Sequence, residues 1–153
     1  MNKYMKRANE LAKYSIDNNK GGCFGSVIVK DGVIVGEGYN TVTSDNDPTR
    51  HGEINAIKNT CKNMSTFDLS GCELYTSAYP CPMCLGAIMW ANIKTVYYGA
   101  TAQDTGNIGF RDDFMYEWLN NKNEDSLRLI EMDRKECVEV QRMWLDKDDK
   151  IEY

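Results

Sequence analysis

Ser26-Val27-Ile28-Val29-Lys30-Asp31-Gly32-Val33-Ile34-Val35-Gly36 is the stretch on which the fold turns. Two β-branched runs flank Asp31-Gly32, and Asp-Gly between such runs signals a tight hairpin. The second strand, 33–38, therefore pairs antiparallel with the first. Upstream, apolar groups at 4, 5, 8, 11, 12 and 16 have helical spacing. Asn18-Asn19-Lys20-Gly21-Gly22 ends that helix, with glycines suited to a C-terminal cap. Downstream, a loop runs from Thr41 to Asp47 and closes on Pro48-Thr49. A helix follows over 51–64, with apolar positions 54, 57, 61 and 64. Cys72 to Ser77 reads as a strand, and Pro82 to Ala91 as a helix with proline at its first position. Thr95 to Gly99 reads as a strand. Phe110, Phe114 and Trp118, with Met115 and Leu119, predict a helix; Leu127 to Met132 a strand; Val138 to Lys147 a helix. This order predicts an α/β fold: a three-layer α/β/α sandwich around a central mixed five-stranded sheet. Strands separated by helices are expected to run parallel.

The 153 residues suffice for one substantial core, so a single domain spanning 1–153 is expected. No apolar run is long enough to span a membrane, and the N-terminus has no apolar signal core. Eighteen basic against 23 acidic residues give a net charge of −5, which argues against a nucleic-acid partner. Lys3, Lys6, Arg7 and Lys13 read as a solvated helix face. Six cysteines (23, 61, 72, 81, 84, 137) in a chain of this length, two of them in a tight Cys-x-x-Cys, fit a reduced, cytoplasmic setting better than a disulfide scaffold.

The single histidine anchors the chemistry. His51-Gly52-Glu53 is followed by Pro80-Cys81-Pro82-Met83-Cys84. One imidazole and two thiolates leave a fourth zinc position for water, the layout of a catalytic rather than a structural site. Each group lies at a predicted helix start, where partial positive charge favours thiolates. His51 and Glu53 are about 200° apart on a regular helix, so the metal is expected off the helix end, with Glu53 beside it as a non-ligating carboxylate. Such a set suits hydrolysis of a C–NH₂ bond: zinc acidifies a water, and Glu53 carries protons to the ring and to the departing ammonia. H-x-E with P-C-x-x-C is the signature of zinc nucleobase deaminases. Two readings from other classes stand beside it. A zinc-stabilised binding module has no use for Glu53, and a redox protein predicts a reversible Cys81–Cys84 disulfide without metal.

At these residues the chain resembles the cytidine deaminase superfamily, and within it the purine-acting branch. The resembling blocks are 21–29, 46–53 and 74–88; Gly109-Phe110-Arg111-Asp112-Asp113-Phe114 and Glu152-Tyr153 resemble the bacterial guanine deaminases rather than the tRNA adenosine deaminases. The resemblance implies a cytidine deaminase-like fold, one zinc per subunit on His51, Cys81 and Cys84, and Glu53 as proton shuttle. It further implies that Asn40 hydrogen-bonds the purine, that Asp112 binds the guanine edge or assists the departing amine, and that Tyr153 closes the pocket. Phe24 is placed as an apolar wall or a core residue. The implied reaction is guanine to xanthine and ammonia by attack at C2. The alternative is a tRNA adenosine deaminase or a deaminase of another aminated heterocycle. In the guanine deaminases the C-terminal segment crosses to the partner subunit, so a homodimer with 138–153 exchanged is expected. Three positions depart from the family pattern: Tyr79 stands for a glutamate before Pro-Cys, Gly52 for an alanine, and Cys23 for a proline.

Overall fold

The computed structural model describes residues 1–122 and 125–153. They divide into two compact units, Met1–Tyr116 and Glu117–Tyr153.

The first unit opens with α1 (Lys3–Asp17), whose first turn is capped by the Asn2 side chain accepting from the amides of Tyr4 and Met5. Strands β1 (Gly25–Lys30) and β2 (Val33–Tyr39) follow. Lys30 faces Val33 across the turn. The two residues between them have φ of 50° (Asp31) and 78° (Gly32), the left-handed pair a two-residue hairpin needs. After a short helical turn α2 (Val42–Asp45) come α3 (Gly52–Met64), β3 (Glu73–Ala78), α4 (Pro82–Trp90), β4 (Thr95–Ala100) and α5 (Ala102–Asn107). The sheet order is β2-β1-β3-β4. β1 runs antiparallel to both neighbours, and β3 pairs parallel with β4.

Alternation along the strands builds the layers. Val27, Val29 and Tyr75 point to one face, where Leu11 of α1 covers them with Tyr4 and Tyr39. Ile28 and Leu74 point to the other, against Ala56 and Ile57 of α3 and Ile88 of α4. The α/β/α sandwich and mixed sheet thus stand as expected.

The strand count does not. Among the described residues the sheet has four strands, and 127–132 form no strand. Leu127, Leu129, Ile130 and Met132 are all exposed, so this apolar run lacks both the ladder and the one-sided burial that make a strand. Helix α5 falls where none was expected, closed at its start by a capping box between Thr101 and Asp104. Helix α6 (Asp112–Asn121) lies where the aromatic spacing put it. In the second unit α7 (Arg134–Leu145) begins earlier than Val138. No described helix is long and apolar enough to cross a membrane.

One feature of α3 ties it to the sheet edge. Asn55, Asn59 and Asn63, four apart on the helix, donate through Nδ2 to the carbonyls of Tyr39 (2.8 Å), Glu37 (2.8 Å) and Val35 (3.1 Å), two apart on edge strand β2. Four helical residues rise about 6.0 Å and two strand residues about 6.8 Å, so the two rows stay in step. Gly36 and Gly38 permit the approach: a Cβ on Gly36 would lie 1.9 Å from Thr60 Oγ1, and one on Gly38 2.3 Å from the Ala56 amide nitrogen.

Candidate active site

Two helix starts converge. His51 is the N-cap of α3 and Cys81 the N-cap of α4, both in extended backbone. Pro82 takes the first position of α4, where its missing N–H costs nothing, and Cys84 sits two residues on. Cys81 Sγ and Cys84 Sγ each lie 3.5 Å from His51 Nδ1. The three donor atoms fall within 4.8 Å of one another. A tetrahedral zinc, with Zn–N of about 2.0–2.1 Å and Zn–S of about 2.3 Å, places neighbouring N and S donors roughly 3.6 Å apart. The donor set therefore fits zinc in identity and in spacing.

The protonation pattern agrees. The S–H of Cys84, helped by His51, brings the Cys81 thiol down to about 4 despite its burial. The neighbouring Cys81 sulfur and burial push Cys84 up. Hydrogen bonding to Cys81 raises His51. A dication held by these three residues would take the place of the protons that Cys81 and Cys84 otherwise share with His51.

Glu53 is 5% exposed. Its Oε2 lies 3.4 Å from Cys84 Sγ, and its Oε1 accepts from Thr76 Oγ1 at 3.1 Å. Burial raises its pKa above the usual carboxylate range. It adjoins the donor group without belonging to it, as the spacing predicted.

Asn40 follows β2 and is buried. Its Oδ1 accepts from the amides of Gly22 and Val42, both at 3.1 Å, and its backbone N–H donates to Phe24 O. Phe24 is half-buried, outside the buried core, and meets Phe110 edge-on with ring centroids 4.8 Å apart. A Cβ on Gly52 would come within 3.2 Å of Phe24 O. Gly52 thus lets the Phe24 backbone close on the helix that carries His51 and Glu53. Asp112 starts α6 near enough to feel the charges of Cys81 and His51, and burial raises its pKa. Tyr153 is in the second unit and exposed.

Three contributors went unnoticed in the sequence. Thr76 and Ser26 are buried hydroxyls linked in turn to Glu53. Tyr116, one helical turn beyond Asp112, donates its O–H to the Pro80 carbonyl beside Cys81. The departing position Tyr79 packs edge-on against Tyr98 (4.9 Å) and Tyr116 (5.9 Å). Tyr79 thus joins an aromatic cluster beside the Pro80-Cys81 turn. The only available signals were polar residues inside apolar strands and the 112/116 spacing.

Residues 1–100 match the model of the cytidine and deoxycytidylate deaminase zinc-binding region. The chain belongs to the cytidine and deoxycytidylate deaminase family. Guanine deaminase of Bacillus subtilis (strain 168) is 42% identical over 151 residues, covering 98% of this chain and 97% of that protein. The X-ray structure of guanine deaminase from Bacillus subtilis superposes with a TM-score of 0.93 at 42% identity, covering 100% of this chain and 99% of the other. A tRNA-specific adenosine deaminase of Haemophilus influenzae is 41% identical over 98 residues, covering 63% of this chain and 57% of that protein. The family's zinc-binding region includes His51, Cys81 and Cys84, the three residues whose donor atoms the fold gathers.

Proposed function

We propose that this protein is a zinc-dependent guanine deaminase: guanine and water give xanthine and ammonia, with the C2–N bond broken and a C2–O bond formed. The observation that carries the reading is the buried Glu53 carboxyl against a His-Cys-Cys donor set. The substrate assignment is supported by similarity to a guanine deaminase over 98% of the chain. Similarity to the tRNA adenosine deaminase covers 63%.

Zinc, when bound by His51, Cys81 and Cys84, supplies Lewis-acid activation of water. Glu53 would take up a proton from the attacking water on its carboxyl, pass it to a ring nitrogen and then assist protonation of the leaving amine. Asn40 orients the base. Its oxygen is engaged by two backbone amides, which leaves Nδ2 as the donor it can offer to a purine acceptor such as O6 or N7. Asp112 accepts from the N1–H and 2-NH₂ donors of guanine, a paired donor edge that adenine lacks. Phe24 and Phe110 wall the ring.

The same reading makes the enzyme a cytoplasmic homodimer in which 138–153 is exchanged and Tyr153 closes the partner's pocket. Six free thiols and the exposed Val140, Met143, Leu145, Ile151 and Tyr153 of the second unit support it. Sedimentation at the 17.4 kDa of one chain would remove the dimer.

The test follows ammonia release from guanine, adenine, guanosine and cytosine side by side, with E53Q as control. Guanine is expected to be the best substrate, and E53Q to keep its zinc while losing turnover by at least about 100-fold. E53Q with full turnover removes the shuttle role. Absent activity on guanine, with clear activity on another base, replaces the substrate.

A further inference from the structure

Two hydroxyls lie in the buried middle of the sheet, where apolar side chains are the rule. Ser26 of β1 and Thr76 of β3 face each other directly in the antiparallel register and are 0% and 1% exposed. Ser26 Oγ donates to Thr76 Oγ1 at 3.0 Å, and Thr76 Oγ1 donates to Glu53 Oε1 at 3.1 Å. We propose that Thr76, backed by Ser26, is a positioning residue that fixes the Glu53 carboxyl against the metal-ligand group. The inference rests on the reading of Glu53 as the proton shuttle and extends it to the residues that aim it.

A glutamate's last torsion is broad and roughly two-fold, so the side chain's own rotamer preferences leave the carboxyl plane free to turn. A shuttle must present one oxygen to successive partners with small error, because misplacement of about 1 Å costs on the order of 100-fold in rate. The Thr76 hydroxyl supplies the missing constraint. It ties Oε1 and leaves Oε2 as the oxygen toward Cys84 Sγ. Ser26 makes the tie directional: its proton occupies a lone pair of Thr76 Oγ1, which aims the threonine's own proton at Glu53. The two hydroxyls stand on central strands rather than on loops, the rigid support that a precise site requires.

The experiment compares zinc-loaded wild-type protein with T76V, T76S and S26A, each first shown to unfold cooperatively and to hold wild-type zinc. Crystal structures report the Glu53 carboxyl orientation, and steady-state kinetics with guanine separate kcat from KM. T76V is expected to turn or split the Glu53 carboxyl and to lower kcat roughly ten- to 100-fold, with KM within about threefold. T76S, which keeps the hydroxyl, restores both. T76V with Glu53 in its wild-type orientation, or with wild-type kcat, overturns the proposal. Should T76V fail to fold, S26A decides. Its expected fall in kcat is roughly two- to tenfold, and wild-type kcat and orientation together overturn it. The orientation readout needs no substrate, so it judges Thr76 even if guanine is not turned over. An active E53Q instead strikes the shuttle reading itself.

Discussion

Burial lifts the Asp112 carboxyl above its ordinary range, with the Cys81 thiolate adding to the effect. A ligand that brings two N–H donors relieves that cost. One that brings none leaves a half-buried charge without partners. D112N is therefore expected to lower kcat/KM for guanine by roughly 100-fold or more while zinc content stays at the wild-type level. Progress curves at low guanine concentration, with elemental analysis of the same sample, check this; unchanged efficiency would free Asp112 from base recognition. At this scale the sequence was most informative where chemistry needs rare residue types at short spacing. His51, Glu53, Cys81 and Cys84 could be read because a histidine, a glutamate and two cysteines at helix starts have few other uses together. Thr76 and Ser26 could not. A threonine in a strand looks like ordinary β-propensity, and their contacts join residues 23 and 50 positions apart. Tyr116 was hidden in the same way, its partner Pro80 lying 36 positions back.

Helix α3 does two jobs at once, presenting His51 and Glu53 from its first turn and holding the sheet edge through its asparagine row. Asn55 joins the two. Besides Tyr39 O, its Nδ2 reaches Thr41 Oγ1 at 2.9 Å, in the loop between Asn40 and His51. N55A is expected to destabilise the protein by about 1–2 kcal/mol, a fall in Tm of roughly 2–8 °C, measured by calorimetry. N59A, which loses a single bond in a more exposed position, costs less. A reversed order would place the row's value at the rim rather than beside the site. The elements that position the site were legible because each had a local cause: Asp31-Gly32 for the hairpin, Pro82 for the start of α4, 3.6-residue spacing for α1 and α3. The failures had none. Leu127 to Met132 has the composition of a strand, but a strand is made by its neighbour, and the described sheet supplies none. Helix α5, six residues long, rests on a capping box rather than on an apolar stripe.

Across the whole molecule, the first unit holds His51, Glu53, Cys81, Cys84, Asn40, Phe24 and Asp112. The second holds Tyr153, whose role belongs to the proposed exchange between subunits. The net charge of −5 suits a free base better than a polyanionic nucleic acid. Similarity across nearly the full length to a guanine deaminase points the same way. In a zinc-dependent deaminase, hydrolysis is coupled to metal content. Metal-depleted protein, titrated with zinc while guanine is converted to xanthine and followed by ultraviolet absorbance, measures that coupling directly. Turnover is predicted to be absent at the start, to rise with each addition, and to level off when zinc matches chains. Undiminished conversion by protein that elemental analysis shows to be free of metal would contradict it.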